Sequence, residues 1–344
     1  LLALCTYTGF VSCISFGTKR YDLYRYAEEQ IPDKDHYSFR DISIKIPAHA
    51  ANYTRYKHAK KDVISGTLIM PKGPFDKVVV IVPGSGYDKR NSHFLLAEAF
   101  LRAGIAVFRF DDRGFQVTEL RDLRSDLFAF VSRLRNTPEL KGKKLGLLGH
   151  SLGGLATIDV YQKRKPDVDF LVQWATPIEK YGAFFIYQLV QDYYDQALTA
   201  EKIKTTIDLW ESICSIVAKN SDKSQIELYK ILHKELKKKG YKRREFGWSI
   251  AYPNNIDILK TNYESVYRHI GIPMLYIIGS NDRHVDPKRS TEILKKFHND
   301  HIQTVVMKGL NHSLNDMAPL KLSDIYRIDQ KARDTIINFV RSVD

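Results

Sequence analysis

A short apolar run, Leu145-Gly146-Leu147-Leu148, leads into Gly149-His150-Ser151-Leu152-Gly153, and helix-compatible residues follow. A serine set between two glycines, after a buried strand and before a helix, is the pattern that holds a hydroxyl out on a strained turn as a nucleophile. Bulky neighbours would clash in that turn, so Gly149 and Gly153 suit it. A simple packing turn uses small residues too, but the strand before and the helix after favour chemistry.

A serine hydroxyl is a weak nucleophile. It needs a base, and the base needs an orienting acid. Where a serine is held this way, the partners follow in the order acid, then histidine, on loops after late strands. Asp282 closes the segment MLYIIGSND (274–282), and His312 closes TVVMKGLNH (304–312). Asp286, in HVDP, is the alternative acid. The other histidines fit less well. His284 belongs to the acid's own loop. His150 sits inside the turn and is read as packing away from the site. His93 begins a helix and is read as a surface or capping residue.

The tetrahedral intermediate of acyl transfer needs backbone donors for its oxyanion. One expected donor is the Leu152 N–H, at a helix N-terminus whose dipole favours negative charge. The other comes from Pro83-Gly84-Ser85-Gly86-Tyr87, with the Ser85 N–H expected and Gly86 the alternative. Glycines there let the backbone approach a substrate closely.

The elements that must position these groups are legible in outline. FRDISIKI (39–46) and DVISGTLIMP (62–71) read as an antiparallel lead-in. Strand, loop and helix then alternate. Buried strands are expected in KVVVIVPGSG (77–86), IAVFRFDDRG (105–114), KLGLLGHS (144–151), DFLVQWATP (169–177), PMLYIIGSND (273–282) and IQTVVMKGLNH (302–312). Helices are expected over 93–104, 120–135, 153–163, 290–298 and 332–343. That alternation implies a mostly parallel sheet with helices on both faces. Residues 180–265 lack buried-strand runs and read as an inserted helical cap.

The chain has 344 residues, 44% of them hydrophobic, enough for a large core. Its formal net charge is +13, but the basic residues are scattered, so neither nucleic acid nor a membrane surface is implied as a partner. The one run, KELKKKGYKRRE (234–245), reads as a solvated helix end and loop, with attraction of anionic substrates or a membrane surface as the alternative. Three cysteines, Cys5, Cys13 and Cys214, form neither a disulfide framework nor a metal motif. Residues 1–17 carry no charge and fit the apolar part of a secretory signal, with Cys13 as the lipidated residue of a bacterial lipoprotein; an ordinary buried N-terminal element is the other reading. Export with a membrane or lipid anchor, or otherwise a cytoplasmic location, follows from that choice.

Taken together, PGSGYDKRN (83–91), FRFDDRG (108–114) and GLLGHSLGG (146–154), with GSNDRHVDP (279–287) and GLNH (309–312) in order behind them, resemble the serine-dependent α/β-hydrolases of the bacterial carboxylesterase type. The chain is similar to the serine aminopeptidase-like and dienelactone hydrolase-like groups over about 75–344. The resemblance implies an α/β-hydrolase fold and hydrolysis of a small-molecule ester or acyl substrate, with no cofactor or metal. It implies Ser151 as nucleophile, His312 as base and Asp282 as acid. A peptidase, a thioesterase and a non-catalytic binding protein of the same fold are the alternatives. Two departures bear on specificity. Pro83 stands where a histidine is common, and Phe115-Gln116-Val117 replaces a frequent glycine and serine. Arg113 is expected to pair with a neighbouring carboxylate.

Overall fold

The computed structural model describes residues 33–45, 63–85, 90, 92–113, 120–195, 198–246, 253–316 and 327–344. The N-terminal segment with Cys5 and Cys13, Gly86 and the 115–117 departure lie outside the described residues. The chain divides into two compact units.

The first unit contains the described residues up to Thr176, together with Ile270–Asp282 and Asp300–Asp344. It holds the whole sheet: β1 (Tyr37–Lys45), β2 (Val63–Pro71), β3 (Lys77–Val82), β4 (Ala106–Phe110), β5 (Lys144–His150), β6 (Phe170–Trp174), β7 (Met274–Gly279) and β8 (Ile302–Met307). Their spatial order is β1-β2-β4-β3-β5-β6-β7-β8. β1 and β2 pair antiparallel, β2 meets β4 antiparallel, and every later pairing is parallel. Every residue of β3, β4, β6 and β7 is buried. A strand buried at both odd and even positions has helices on both faces, which is why these segments read as continuous apolar runs. β1 is an edge strand, and only Ile42 and Ile44 of it are buried.

The crossover helices are α1 (Phe94–Arg102), α2 (Leu120–Arg135) and α3 (Leu152–Lys163). α1 ends where Gly104 adopts φ 76°, a left-handed position suited to glycine. α2 buries the stripe Leu120, Leu123, Leu127, Val131 and Leu134. Arg113, at the mouth of β4, is buried with Asp126, from which Nη2 lies 2.7 Å, while Nη1 lies 2.8 Å from the half-buried Asp122.

The second unit is Pro177–His269 with Arg283–Asn299. Its helices are α4 (Phe184–Asp195), α5 (Ala200–Lys219), α6 (Gln225–Lys238), α7 (Pro253–Lys260), α8 (Tyr263–Arg268) and α9 (Pro287–Lys296). A capping box starts α6: the Ser224 hydroxyl accepts from the Glu227 N–H, and the Glu227 carboxylate accepts from the Ser224 N–H. Leu228, Leu232 and Leu236 of α6 and Ile213 and Val217 of α5 are buried, and the two helices pack against each other. The basic run at the end of α6 is exposed at each of its lysines and arginines. α10 (Gln330–Ser342) closes the chain in the first unit.

Candidate active site

The parallel strands share a direction, so their carboxyl ends line one edge of the sheet, where ligands of such sheets bind. The register sets the neighbours there. Val82 of β3 pairs with Gly149 of β5, His150 with Trp174 of β6, and Gly279 of β7 with Met307 of β8. The loops after these strands carry Ser85, Ser151, Asp282 and His312, all in the first unit.

Ser151 has φ 53° and ψ −119°. Such a backbone costs a residue with a side chain on the order of 1–3 kcal/mol and persists only where its surroundings enforce it. Here the Ser151 N–H donates to the Trp174 carbonyl at 2.8 Å, and its carbonyl accepts from the Gly154 N–H at 3.0 Å. A Cβ on Gly149 would strike the Gly153-Gly154 backbone, and one on Gly153 would strike the carbonyl oxygens of Val82 and Pro83. The turn is thus closed against the end of β3, which only glycine permits. Leu152 opens α3, so its N–H is among the first helical donors, which have no acceptor inside the helix.

Ser85 is half-buried in the bend after β3. A side chain on Gly84 would come within 3.3 Å of the Ser151 Cβ and of the His150 carbonyl, so this loop runs beside the turn. Arg90 moors the loop farther along. Its N–H donates to Asp111 Oδ1 at 3.1 Å and its Nη2 to Asp111 Oδ2 at 2.9 Å, while Nη1 reaches Thr67 Oγ1 at 2.7 Å.

Asp282 and His312 meet. His312 Nδ1 lies 2.7 Å from Asp282 Oδ2, with the aspartate side chain fully buried and the imidazole 14% exposed. Their two loops are stitched together. The Asn281 N–H donates to the Leu310 carbonyl at 2.9 Å, Asn281 Nδ2 to the Gly309 carbonyl at 3.1 Å, and the Gly309 N–H to Ser280 Oγ at 2.8 Å. Asn311 folds the turn that presents His312: its Oδ1 accepts from the Ser313 N–H at 2.9 Å. Asp286 has a different task. Its carboxylate accepts from the Arg289 N–H at 3.0 Å as the N-cap of α9. His284 lies in the second unit, with Nδ1 3.4 Å from Gln188 Nε2.

The remaining histidines depart from expectation. His93 precedes α1 with φ 52° but is 2% exposed, neither a surface residue nor a side-chain cap. Burial, with the Arg109 charge nearby, pushes its pKa down to about 3, so it is neutral. His150 does not turn away from His312. Its ring stacks on Trp174 at 4.4 Å and lies 5.0 Å from the His312 ring, and its Nε2 is 3.3 Å from the His312 carbonyl. Trp174 Nε1 donates to the same carbonyl at 3.1 Å.

Trp174, Asn311 and Arg90 were not singled out from the sequence. Asn311 had a local signal, a turn-forming side chain beside a candidate histidine in GLNH. Trp174 and Arg90 had none, because their partners lie on other strands. Among the described residues, no group of three His, Cys, Asp or Glu side chains is gathered to hold a metal ion.

Comparison with known proteins points the same way. A family model described as serine aminopeptidase, S33, matches residues 73–316. Esterase EstD of Thermotoga maritima is 24% identical over 302 residues, covering 80% of this chain, which spans 65% of that protein's length. An esterase structure from Pyrococcus furiosus superposes with TM-score 0.56 at 15% identity, covering 93% of this chain and 94% of that one. Carboxyl esterase 2 of Tuber melanosporum superposes with TM-score 0.56 at 14% identity, covering 90% and 87%. At such identities these structures show the fold, which is that of the α/β-hydrolases.

Proposed function

We infer that this chain, which belongs to the serine aminopeptidase S33 family of hydrolases, cleaves small carboxylic esters through an acyl-serine intermediate. Ser151 is the nucleophile, His312 the base, Asp282 the orienting acid, and the N–H groups of Leu152 and Ser85 the oxyanion donors.

The pairing of Asp282 with His312 Nδ1 at 2.7 Å carries the reading. A carboxylate on Nδ1 fixes the tautomer in which Nε2 is basic, and it stabilises the imidazolium that forms when Nε2 takes a proton. In the first half-reaction Ser151 Oγ attacks the ester carbonyl carbon as its proton passes to His312 Nε2. The carbonyl oxygen becomes an oxyanion beside the Leu152 and Ser85 donors. Collapse breaks the ester C–O bond, and the alcohol leaves with the proton from His312. In the second half-reaction water attacks the acyl carbonyl carbon as its proton passes to His312 Nε2; collapse breaks the bond to Ser151 Oγ, which takes that proton back from His312, and the acid departs.

Esters are the favoured substrate class because the named relatives are esterases by name. Amide hydrolysis is the second reading, supported by the family description itself. The same triad serves both, since it does not choose the leaving group. The test is hydrolysis of p-nitrophenyl acetate, butyrate and octanoate beside aminoacyl p-nitroanilides, by wild type and Ser151→Ala. Ester turnover lost in the variant supports the proposal. Turnover of anilides alone replaces it with the peptidase reading, and equal activity in the variant removes Ser151 from the mechanism.

A further inference from the structure

Three side chains behind the base form a continuous polar line inside the first unit, ending on a main-chain carbonyl. Ser92 Oγ is 3.1 Å from His93 Nδ1, His93 Nε2 is 3.1 Å from His150 Nδ1, and His150 Nε2 is 3.3 Å from the His312 carbonyl oxygen. Ser92 and His93 are 5% and 2% exposed, and His150 is 8% exposed. Histidines this buried are costly unless both ring nitrogens are satisfied, and here all four nitrogens have partners on the line.

The chemistry of the end group gives the line a direction. A carbonyl only accepts, so His150 Nε2 carries a proton and donates it. A neutral His150 then accepts at Nδ1, so His93 donates from Nε2. A neutral His93 in turn accepts at Nδ1, and the Ser92 hydroxyl donates. Every donor finds an acceptor, and no second arrangement of two neutral rings ends correctly on the carbonyl.

The line joins three parts that must stay in register. Ser92 and His93 lie at the start of α1. His150 is the residue before the nucleophile. The His312 carbonyl belongs to the residue that serves as base. Trp174 braces the same point, stacking on His150 while its Nε1 donates to that carbonyl and its own carbonyl accepts from the Ser151 N–H.

We propose that His93 and His150 are positioning residues, whose directed hydrogen-bond line from Ser92 holds the His312 main chain in register with Ser151 and the start of α1. This rests on the acyl-serine reading above. Neither histidine exchanges a proton with substrate. Their contribution is to the placement of Nε2, where a displacement of about 1 Å costs on the order of a hundred-fold in rate.

The test uses the full chain and two readouts: p-nitrophenyl butyrate kinetics, and the rate at which a fluorophosphonate labels Ser151. His150→Phe keeps a ring against Trp174 but removes both nitrogens. His150→Gln keeps an N–H donor near the position of Nε2. His93→Phe removes the donor to His150. Circular dichroism and the thermal midpoint establish which variants fold, and His93→Gln against His93→Leu replaces any that do not.

The expected result is a fall of about ten- to a hundred-fold in kcat and in labelling rate for His150→Phe, with KM within about two-fold. His150→Gln restores most of the loss, and the His93→Phe/His150→Phe double variant loses no more than the worse single variant. A kcat within about two-fold of wild type in His150→Phe, equal losses in Phe and Gln, or additive losses in the double variant overturns the inference. Ester inactivity with intact labelling sinks only the ester reading, and the labelling rates still decide this one. No labelling of wild type sinks the acyl-serine reading and this inference with it.

Discussion

His312 Nδ1 lies 2.7 Å from Asp282 Oδ2, and the second candidate acid, Asp286, instead caps α9 through the Arg289 N–H at 3.0 Å. The two aspartates are four positions apart in one loop, yet their environments differ completely. The side chain of Asp282 is sealed from solvent, whereas Asp286 sits at a helix end.

That contrast makes a paired prediction. Asp282→Asn removes the charge that orients His312 and lowers kcat by about 10³–10⁴-fold with the fold intact. Asp286→Asn keeps a good capping side chain, so kcat stays within about two-fold and stability within about 0.5 kcal/mol. Initial rates on an ester substrate and urea midpoints of both variants check this. A larger loss in Asp286→Asn would exchange the two roles.

Ser151 is held at φ 53°, a backbone that costs a residue with a side chain stability, and it is the proposed nucleophile. Ser151→Gly therefore removes activity while relieving strain, and the folded state gains about 1 kcal/mol or more. The thermal midpoint should rise for Ser151→Gly and change less for Ser151→Ala. A fall for glycine would mean that the turn carries no strain.

Arg113 is buried between Asp126 and Asp122. Burial pushes the Asp126 carboxyl up, and the Arg113 guanidinium pulls against it, leaving the pKa raised. Arg113→Met would leave the buried Asp126 and the half-buried Asp122 without the cation they share, costing about 3–5 kcal/mol, whereas apolar replacement of the whole group costs far less. Urea unfolding of Arg113→Met against a matched triple variant measures the difference.

In the second unit, burial raises the Glu179 pKa from 4.5 to about 7, against the pull of Arg289 at 3.5 Å. A carboxyl with a raised pKa binds its proton more tightly folded than unfolded. Its stability contribution is therefore full below pH 4.5 and declines as pH rises to about 7. Glu179→Gln removes the dependence and stabilises the protein above pH 7 by on the order of 1–3 kcal/mol. Thermal midpoints from pH 4 to 8 decide it: parallel curves for variant and wild type would show that Glu179 does not titrate in that range.

Much of the fold was legible because it is written in local pattern. The runs VVVIV, MLYII and LGLLG are apolar at every position, which only a strand covered on both faces tolerates. The elbow was legible because Gly149 and Gly153 are demanded by collisions with backbone close by in the fold. Asp282 and His312 were legible only as the right residue types after the right strands, with Asp286 still open beside them.

The sequence by itself determined the order of strands and helices, the strained serine turn and the supply of two candidate acids and a histidine downstream. The tertiary structure decided which acid meets His312. It alone revealed that Trp174, His150 and His93 converge behind that residue, and that a helix-starting histidine is buried. The reason is physical. Periodicity and turn chemistry act over a few residues, whereas a hydrogen bond such as His93 to His150 spans 57 positions and exists only when β5 and the start of α1 are brought together.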